Sequence, residues 1–189
     1  MRRRLGSWFL TLLGWTVVSS DPPPDRCVIV VAPHTSNWDF PILLAASWVL
    51  EIKAGFIGKD SLFRGPFGWM FRALGGIPID RSASTDMVRS VISAFERSGP
   101  LALALTPEGT RRRASAWKSG FYHIALGARV PVLLAFIDYD VKRCGTGPLI
   151  TLTGNMHADM GRIRGFYGEI EGRSPGLATP IRLSDEDPR

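Results

Sequence analysis

A chain of 189 residues is the length of one ordinary domain and is long enough to bury a real hydrophobic core. Its 45% apolar and 21% charged residues exclude a disordered chain. Twenty-three Lys and Arg against 17 Asp and Glu give a formal charge of +6. That charge suits acidic partners, and nucleic acid, anionic lipid and phosphorylated substrates all qualify on charge alone.

The N-terminus carries the first pattern. Leu5, Trp8, Phe9, Leu12 and Leu13 fall on one face of a helix, and Arg2, Arg3 and Arg4 precede them. A helix lying in a lipid interface, with basic residues near anionic headgroups, has this form. A cleaved signal peptide ending near Ser19 and Ser20, or a helix packed on the protein's own core, would share the stripe. The tryptophans favour the interface. Residues 1–20 are therefore read as an amphipathic membrane-surface helix and 21–189 as the main domain.

Asp21 to Asp25 holds three consecutive prolines, a stiff linker. Strands and helices then alternate. Cys27–Ala32 reads as a buried strand, Trp38–Leu50 as a helix with Pro41 in its first turn, and Lys53–Gly58 as a second strand. Leu62–Leu74 is aromatic-rich and broken at Gly65-Pro66, and Gly76–Asp80 is a short strand. Met87, Val88, Val91, Ile92 and Phe95 form one apolar helix face, with Ser84 as candidate cap and Ser98-Gly99-Pro100 as the stop. Leu101–Thr106 is a strand, Phe121–Ala128 a helix, and Val130–Ile137 and Leu149–Leu152 are strands. Beyond Gly154 no element is assigned. The alternation implies an α/β fold, a single layered domain with a largely parallel central sheet flanked by helices, preceded by the N-terminal amphipathic helix.

The longest uncharged apolar stretch of the body, Phe40–Leu50, is far short of the roughly 20 residues that span a bilayer. Cys27 and Cys144 are widely separated and are read as reduced thiols, which fits a cytosolic compartment.

Three polar clusters follow predicted strands, where open α/β sheets place their ligands. In His34-Thr35-Ser36-Asn37-Trp38-Asp39 the carboxylate can orient the imidazole and raise its basicity. The same residues also serve as a plain helix start, with Ser36 or Asn37 as cap. In Gly75 to Arg81 the arginine stands just beyond a strand, placed for a phosphate or for a surface turn with Asp80. Pro107-Glu108-Gly109-Thr110-Arg111 offers an acceptor, a close backbone approach and an anion clamp, or a solvated basic turn.

Together these clusters resemble the blocks of the glycerolipid acyltransferase family, which includes bacterial lysophosphatidic acid acyltransferases. His34 to Asp39 is similar to its HxxxxD signature, Gly76 to Arg81 to its second block, Pro107 to Arg111 to its third, and Val130-Pro131-Val132 to its fourth. Order and spacing agree from about Cys27 to Asp140. The resemblance implies that His34 is the general base and Asp39 its orienting partner. It also implies that Arg81 and Arg111, with Lys59, hold an acceptor phosphate, that Glu108 contacts acceptor glycerol hydroxyls, and that Gly109 and Thr110 belong to the binding loop. The implied reaction moves a fatty acyl group from acyl-coenzyme A, or from an acyl-carrier protein, to the free hydroxyl of 1-acyl-glycerol-3-phosphate, giving phosphatidate. A thioester supplies the driving force, so no cofactor or metal is expected.

The expected partners are a lysophospholipid, the acyl thioester, an anionic membrane surface and, for one donor type, acyl-carrier protein. No nucleic acid is expected, because no aromatic stacking platform interleaves the basic residues. The expected location is the cytoplasmic face of the cell membrane, peripheral or monotopic. Phe63, Phe67, Trp69 and Phe71 are read as aids to seating there, with core packing as the alternative. Other readings are the same chemistry on another lyso-lipid or a glycolipid, or a non-catalytic module that binds anionic lipid. Gly172-Arg173-Ser174-Pro175-Gly176 matches the nucleophile elbow of hydrolases but lacks a strand before it and a histidine after it, so it is set aside. His123 and His157 have no ligand-spaced partners and read as structural.

Overall fold

The computed structural model describes residues 1–59, 63–79 and 84–186. In chain order the elements are α1 (Arg2–Leu12), β1 (Thr16–Ser19), β2 (Arg26–Ala32), α2 (Asp39–Val49), β3 (Ala54–Lys59), α3 (Gly68–Ala73) and β4 (Gly76–Ile79). There follow α4 (Ser84–Arg97), β5 (Leu101–Leu105), α5 (Gly120–Ala128), β6 (Val132–Asp138), β7 (Arg143–Ile150), α6 (Met156–Tyr167) and a short 3-10 turn, Pro175–Leu177.

The strands form one sheet in the order β1-β7-β6-β2-β5-β3-β4. Five of them, β6, β2, β5, β3 and β4, are mutually parallel, while β7 runs antiparallel to β6 and carries β1 parallel to itself. The expected α/β layered fold with a largely parallel sheet is thus the observed one. Strands β2 and β6 sit at its centre, buried along nearly their whole length, which is why they read as unbroken apolar runs.

Alternate residues of these strands feed two cores. Val28, Val30, Val132 and Leu134 face α4, α5 and α6 through Phe95, Ile124, Met160 and Ile163. On the opposite face lie Ile29, Val31, Leu133 and Ala135, with Leu43 of α2 against them. Ile137 and Cys144 meet α1 and α2 through Leu10, Ile42, Ala45 and Ala46.

Several expectations shift. Residues 1–20 are stitched into the fold: α1 lays Gly6 and Leu10 on α2, and Thr16–Ser19 adds a strand to the sheet. Four residues with an exposed start and end are too short for a period to show. Strand β7 begins six residues before the expected Leu149, through Gly145, Gly147 and Pro148, because its ladder bonds to β6 and β1 outweigh their poor strand propensity. Gly145 (φ +144°) lies so close to the Val18 carbonyl of β1 that no side chain fits there. The unassigned region after Gly154 contains α6, capped by the Asn155 side chain, which accepts from the Ala158 amide at 3.1 Å.

The apolar stripe of α1 divides. Leu5, Trp8 and Leu12 remain 52–67% exposed, whereas Phe9 and Leu13 pack toward the core beside the buried Leu10. The central aromatics divide in the same way: Phe63 is buried and Phe71 half-buried, while Phe67 and Trp69 are exposed. Among the described residues no helix is long and apolar enough to cross a membrane.

A glycine-to-alanine pair measures the α1–α2 seam. A Cβ at Gly6 would lie 2.7 Å from the Ala45 carbonyl oxygen, whereas one at Gly161 in α6 meets nothing within 4 Å. Gly161→Ala should stabilise by about 0.5–1 kcal/mol through helix propensity. Gly6→Ala should lose that gain and destabilise by roughly 1–3 kcal/mol through overpacking. Urea midpoints of the two variants should therefore move in opposite directions.

Candidate active site

Because five strands are parallel, the loops that leave their carboxyl ends share one edge of the sheet. The turn after β2 carries His34, the turn after β5 carries Glu108 to Arg111, and β3 ends at Lys59 on the same edge. Lys59 is described by its backbone alone, and Arg81 lies outside the described residues.

His34 and Asp39 meet as expected. Nδ1 of His34 lies 3.0 Å from Oδ2 of Asp39, obliquely to the line an N–H bond would take. The imidazole is 17% exposed and the carboxylate 1%. Asp39 opens α2, so its charge sits at the positive end of the helix dipole. Its Oδ2 also accepts the Ser36 amide at 2.9 Å, and Ser36 Oγ accepts the Trp38 amide at 3.2 Å. The expected cap differs: Trp38 stands at the N-cap of α2 without a side-chain cap bond, so neither Ser36 nor Asn37 caps the helix.

Glu108 is 2% exposed, and its Oε1 accepts the His34 backbone amide at 2.6 Å. Burial raises its carboxyl above the ordinary value, against the pull of the His34 amide and of Thr179. The resemblance implies contact with acceptor hydroxyls, but the carboxylate turns inward and braces the loop that carries His34. Its neighbours differ: Gly109, Thr110 and Arg111 line a cavity that His34 also lines.

That cavity is open to solvent and measures about 1210 Å³. Its lining runs from the His34 turn over Phe40, Leu43, Leu44, Leu50 and Phe56 on the α2 side and reaches Phe121 and Ile124 of α5 on the other. Phe40 and Phe56 meet edge to face at 5.5 Å and form part of its wall. Small ligand sites usually measure about 300–1,000 Å³, so this one has room for a long apolar group and a polar head together. At its polar end Arg111 is joined by Arg112 and Lys118.

The sequence reading missed the contribution of the chain's last thirty residues. The Ser174 amide donates to Thr35 Oγ1 at 3.2 Å, inside the His34 turn, and the Arg173 guanidinium lies 5.8 Å from the Trp38 ring centre. The Ala114 amide donates to Thr179 Oγ1 at 3.1 Å. A Gly- and Pro-rich segment has no periodic signal, so only contacts distant in sequence reveal this role. Ser174 itself sits between a loop and a 3-10 turn and is no nucleophile elbow. His123 lies 3.0 Å from Asp185 as a surface pair, and the exposed His157 lies 3.6 Å from the nearly buried Glu186. Among the described residues no three His, Cys, Asp or Glu side chains gather as a metal site would need.

Comparison with known proteins identifies the family. A family model described as acyltransferase matches residues 16–137. A probable 1-acyl-sn-glycerol-3-phosphate acyltransferase of Mycoplasma pneumoniae is 36% identical over 142 residues, 69% of this chain and 52% of that protein. A 1-acyl-sn-glycerol-3-phosphate acyltransferase of Streptococcus pneumoniae is 32% identical over 114 residues, 59% of this chain and 42% of that protein. The chain thus spans about half the length of these relatives. The crystal structure of the 1-acyl-sn-glycerophosphate acyltransferase PlsC from Thermotoga maritima superposes with a TM-score of 0.59 at 20% identity, covering 91% of this chain and 80% of that one.

The loop brace has a direct test. Glu108→Ala strands the His34 amide without an acceptor and should destabilise by about 1–3 kcal/mol. Glu108→Gln keeps a carbonyl oxygen in place and should recover most of that loss. Thermal melting of the two variants, compared with wild type, separates the brace from a role that needs the charge.

Proposed function

The chain belongs to the acyltransferase family, and on that premise we propose that it transfers a fatty acyl group from a thioester to the free hydroxyl of a lysophosphatidate. The product is phosphatidate. The observation that carries this reading is the juxtaposition of the His34–Asp39 pair with a large apolar cavity whose polar end holds Arg111. Two relatives whose names specify 1-acyl-sn-glycerol-3-phosphate acyltransferase support the choice of acceptor.

In the proposed reaction Asp39 holds Nδ1–H of His34, and Nε2 takes the proton of the acceptor hydroxyl as its oxygen attacks the thioester carbonyl. A tetrahedral oxyanion forms. Its collapse re-forms the carbonyl and expels the thiolate, which takes the proton from the imidazolium and leaves as free thiol. Every atom and charge is then accounted for without a covalent acyl-enzyme. A positioned base of this kind is worth roughly 10²–10⁴ in rate.

Arg111, with Arg81 and Lys59, is assigned to the acceptor phosphate, and Gly109 and Thr110 to the loop that receives it. A guanidinium suits that task because its planar donors match phosphate oxygens in pairs. The acyl chain is assigned to the apolar length of the cavity beside α2. The donor is acyl-coenzyme A or an acyl-carrier protein.

The reaction takes place at a membrane surface in this reading, on its cytoplasmic side. The exposed Leu5, Trp8 and Leu12 of α1, preceded by the exposed Arg2, Arg3 and Arg4, support peripheral seating on anionic lipid. Exposed Phe67 and Trp69 offer a second apolar contact.

Release of free thiol from oleoyl-coenzyme A should depend on added lysophosphatidate and should fall by roughly 10²–10⁴ in His34→Ala. Acceptor-independent release, or an unaffected variant, would overturn the mechanism. An unphosphorylated acceptor should bind more weakly, and equal rates on both acceptors would remove the phosphate from the reading. Replacing Leu5, Trp8 and Leu12 together with serine spares the buried face of α1. Sedimentation with anionic vesicles should then fall at least tenfold, at roughly 1.5–3 kcal/mol per large side chain transferred.

A further inference from the structure

Strand β6 runs parallel to β2, with Ala32 opposite Phe136, so both strands deliver the chain to the same edge of the sheet. The residue that follows β6 is Tyr139. Its ring meets Trp15 edge to face at 4.9 Å, and its backbone amide donates to the Glu171 carbonyl at 2.8 Å. The ring is therefore held against the N-terminal segment, and the backbone that carries it is tied to the tail. Neither contact involves the reacting groups.

From that position the phenol donates to Oδ1 of Asp39 at 2.7 Å. Asp39's two oxygens thus have different partners: Oδ1 takes Tyr139, while Oδ2 takes the Ser36 amide and faces His34 Nδ1. Burial, and then the adjoining carboxylate, push the phenol well above its ordinary value, so Tyr139 stays a donor at every working pH. A carboxylate turns easily about its terminal bond. A donor fixed on one oxygen keeps the other aimed at the imidazole.

We propose that Tyr139 is the positioning residue of the His34–Asp39 pair, acting through Asp39 rather than on substrate. The proposal rests on the reading of His34 as the general base. It assigns to a tyrosine outside the HxxxxD segment the orientation of that segment's carboxylate, and it makes Trp15 and Glu171 the supports of that tyrosine.

Tyr139→Phe removes one oxygen and keeps the ring against Trp15, so a single cooperative melting transition, lowered by the lost bond, reports an intact fold. In that variant kcat should fall about tenfold, the scale of one hydrogen bond to a charged group, while KM for donor and acceptor holds. In an Asp39→Ala background the same substitution should change kcat by less than twofold. Equal losses in both backgrounds, or no loss in the first, would overturn the proposal.

Nitrogen-edited NMR of histidine-labelled protein gives a readout independent of turnover. Tyr139→Phe should move the His34 ring resonances and leave those of His123 and His157 in place. An unmoved His34 signal would overturn the proposal whatever the kinetics. A wild-type protein that transfers no acyl group would refute the proposed function instead, and the NMR comparison would still report on Tyr139.

Discussion

Asp39 is a carboxylate at 1% exposure, and that burial governs the architecture around it. An ionised carboxylate removed from water costs several kcal/mol unless hydrogen bonds and positive charge replace its hydration. Here the replacements come from separate parts of the chain. The Ser36 amide and the first turn of α2 are local, the phenol of Tyr139 arrives from the end of β6, and the imidazole faces Oδ2 from the turn after β2. Withdraw one and the charge is left partly solvated by protein alone. The parallel strands are what let donors a hundred residues apart reach one pair of oxygens.

A second layer holds the turn that bears His34. Glu108 braces its first amide from below, and Ser174 fastens Thr35 from the tail. The loop has little regular structure of its own, so its shape comes from these cross-links. The apolar wall of the cavity begins where they end, at Phe40, so a fixed polar turn and a greasy channel share one helix, α2.

The sequence made much of this legible because its signals were local. Unbroken apolar runs identified β2, β5 and β6, and the polar turns after them, through their resemblance to the acyltransferase blocks, pointed to His34, Asp39 and the Glu108–Arg111 loop. Where signals were weak or distant, the reading stopped short. Strand β1 has four residues, and glycines at 145 and 147 disguised β7 as a loop. Helix α6 did carry a stripe in Met160, Ile163 and Tyr167 and a cap in Asn155, but glycines at 161 and 165 diluted it. The inward turn of Glu108 and the bond from Tyr139 to Asp39 have no sequence signature, since each depends on which loops become neighbours.

The pairing of β1 with β7 has a temporal consequence. Thr16 pairs with Arg143, so the ladder partner of β1 is synthesised 127 residues after it (143 − 16). At about 5–20 residues per second, that is an interval of roughly 6–25 s on the ribosome. Throughout it β1 lacks its ladder partner, although α1 meets α2, complete by Val49, and can bury Leu10 far sooner. The contact between Trp15 and Tyr139 falls within the same interval, so Asp39 acquires its phenol donor only once translation has passed β6.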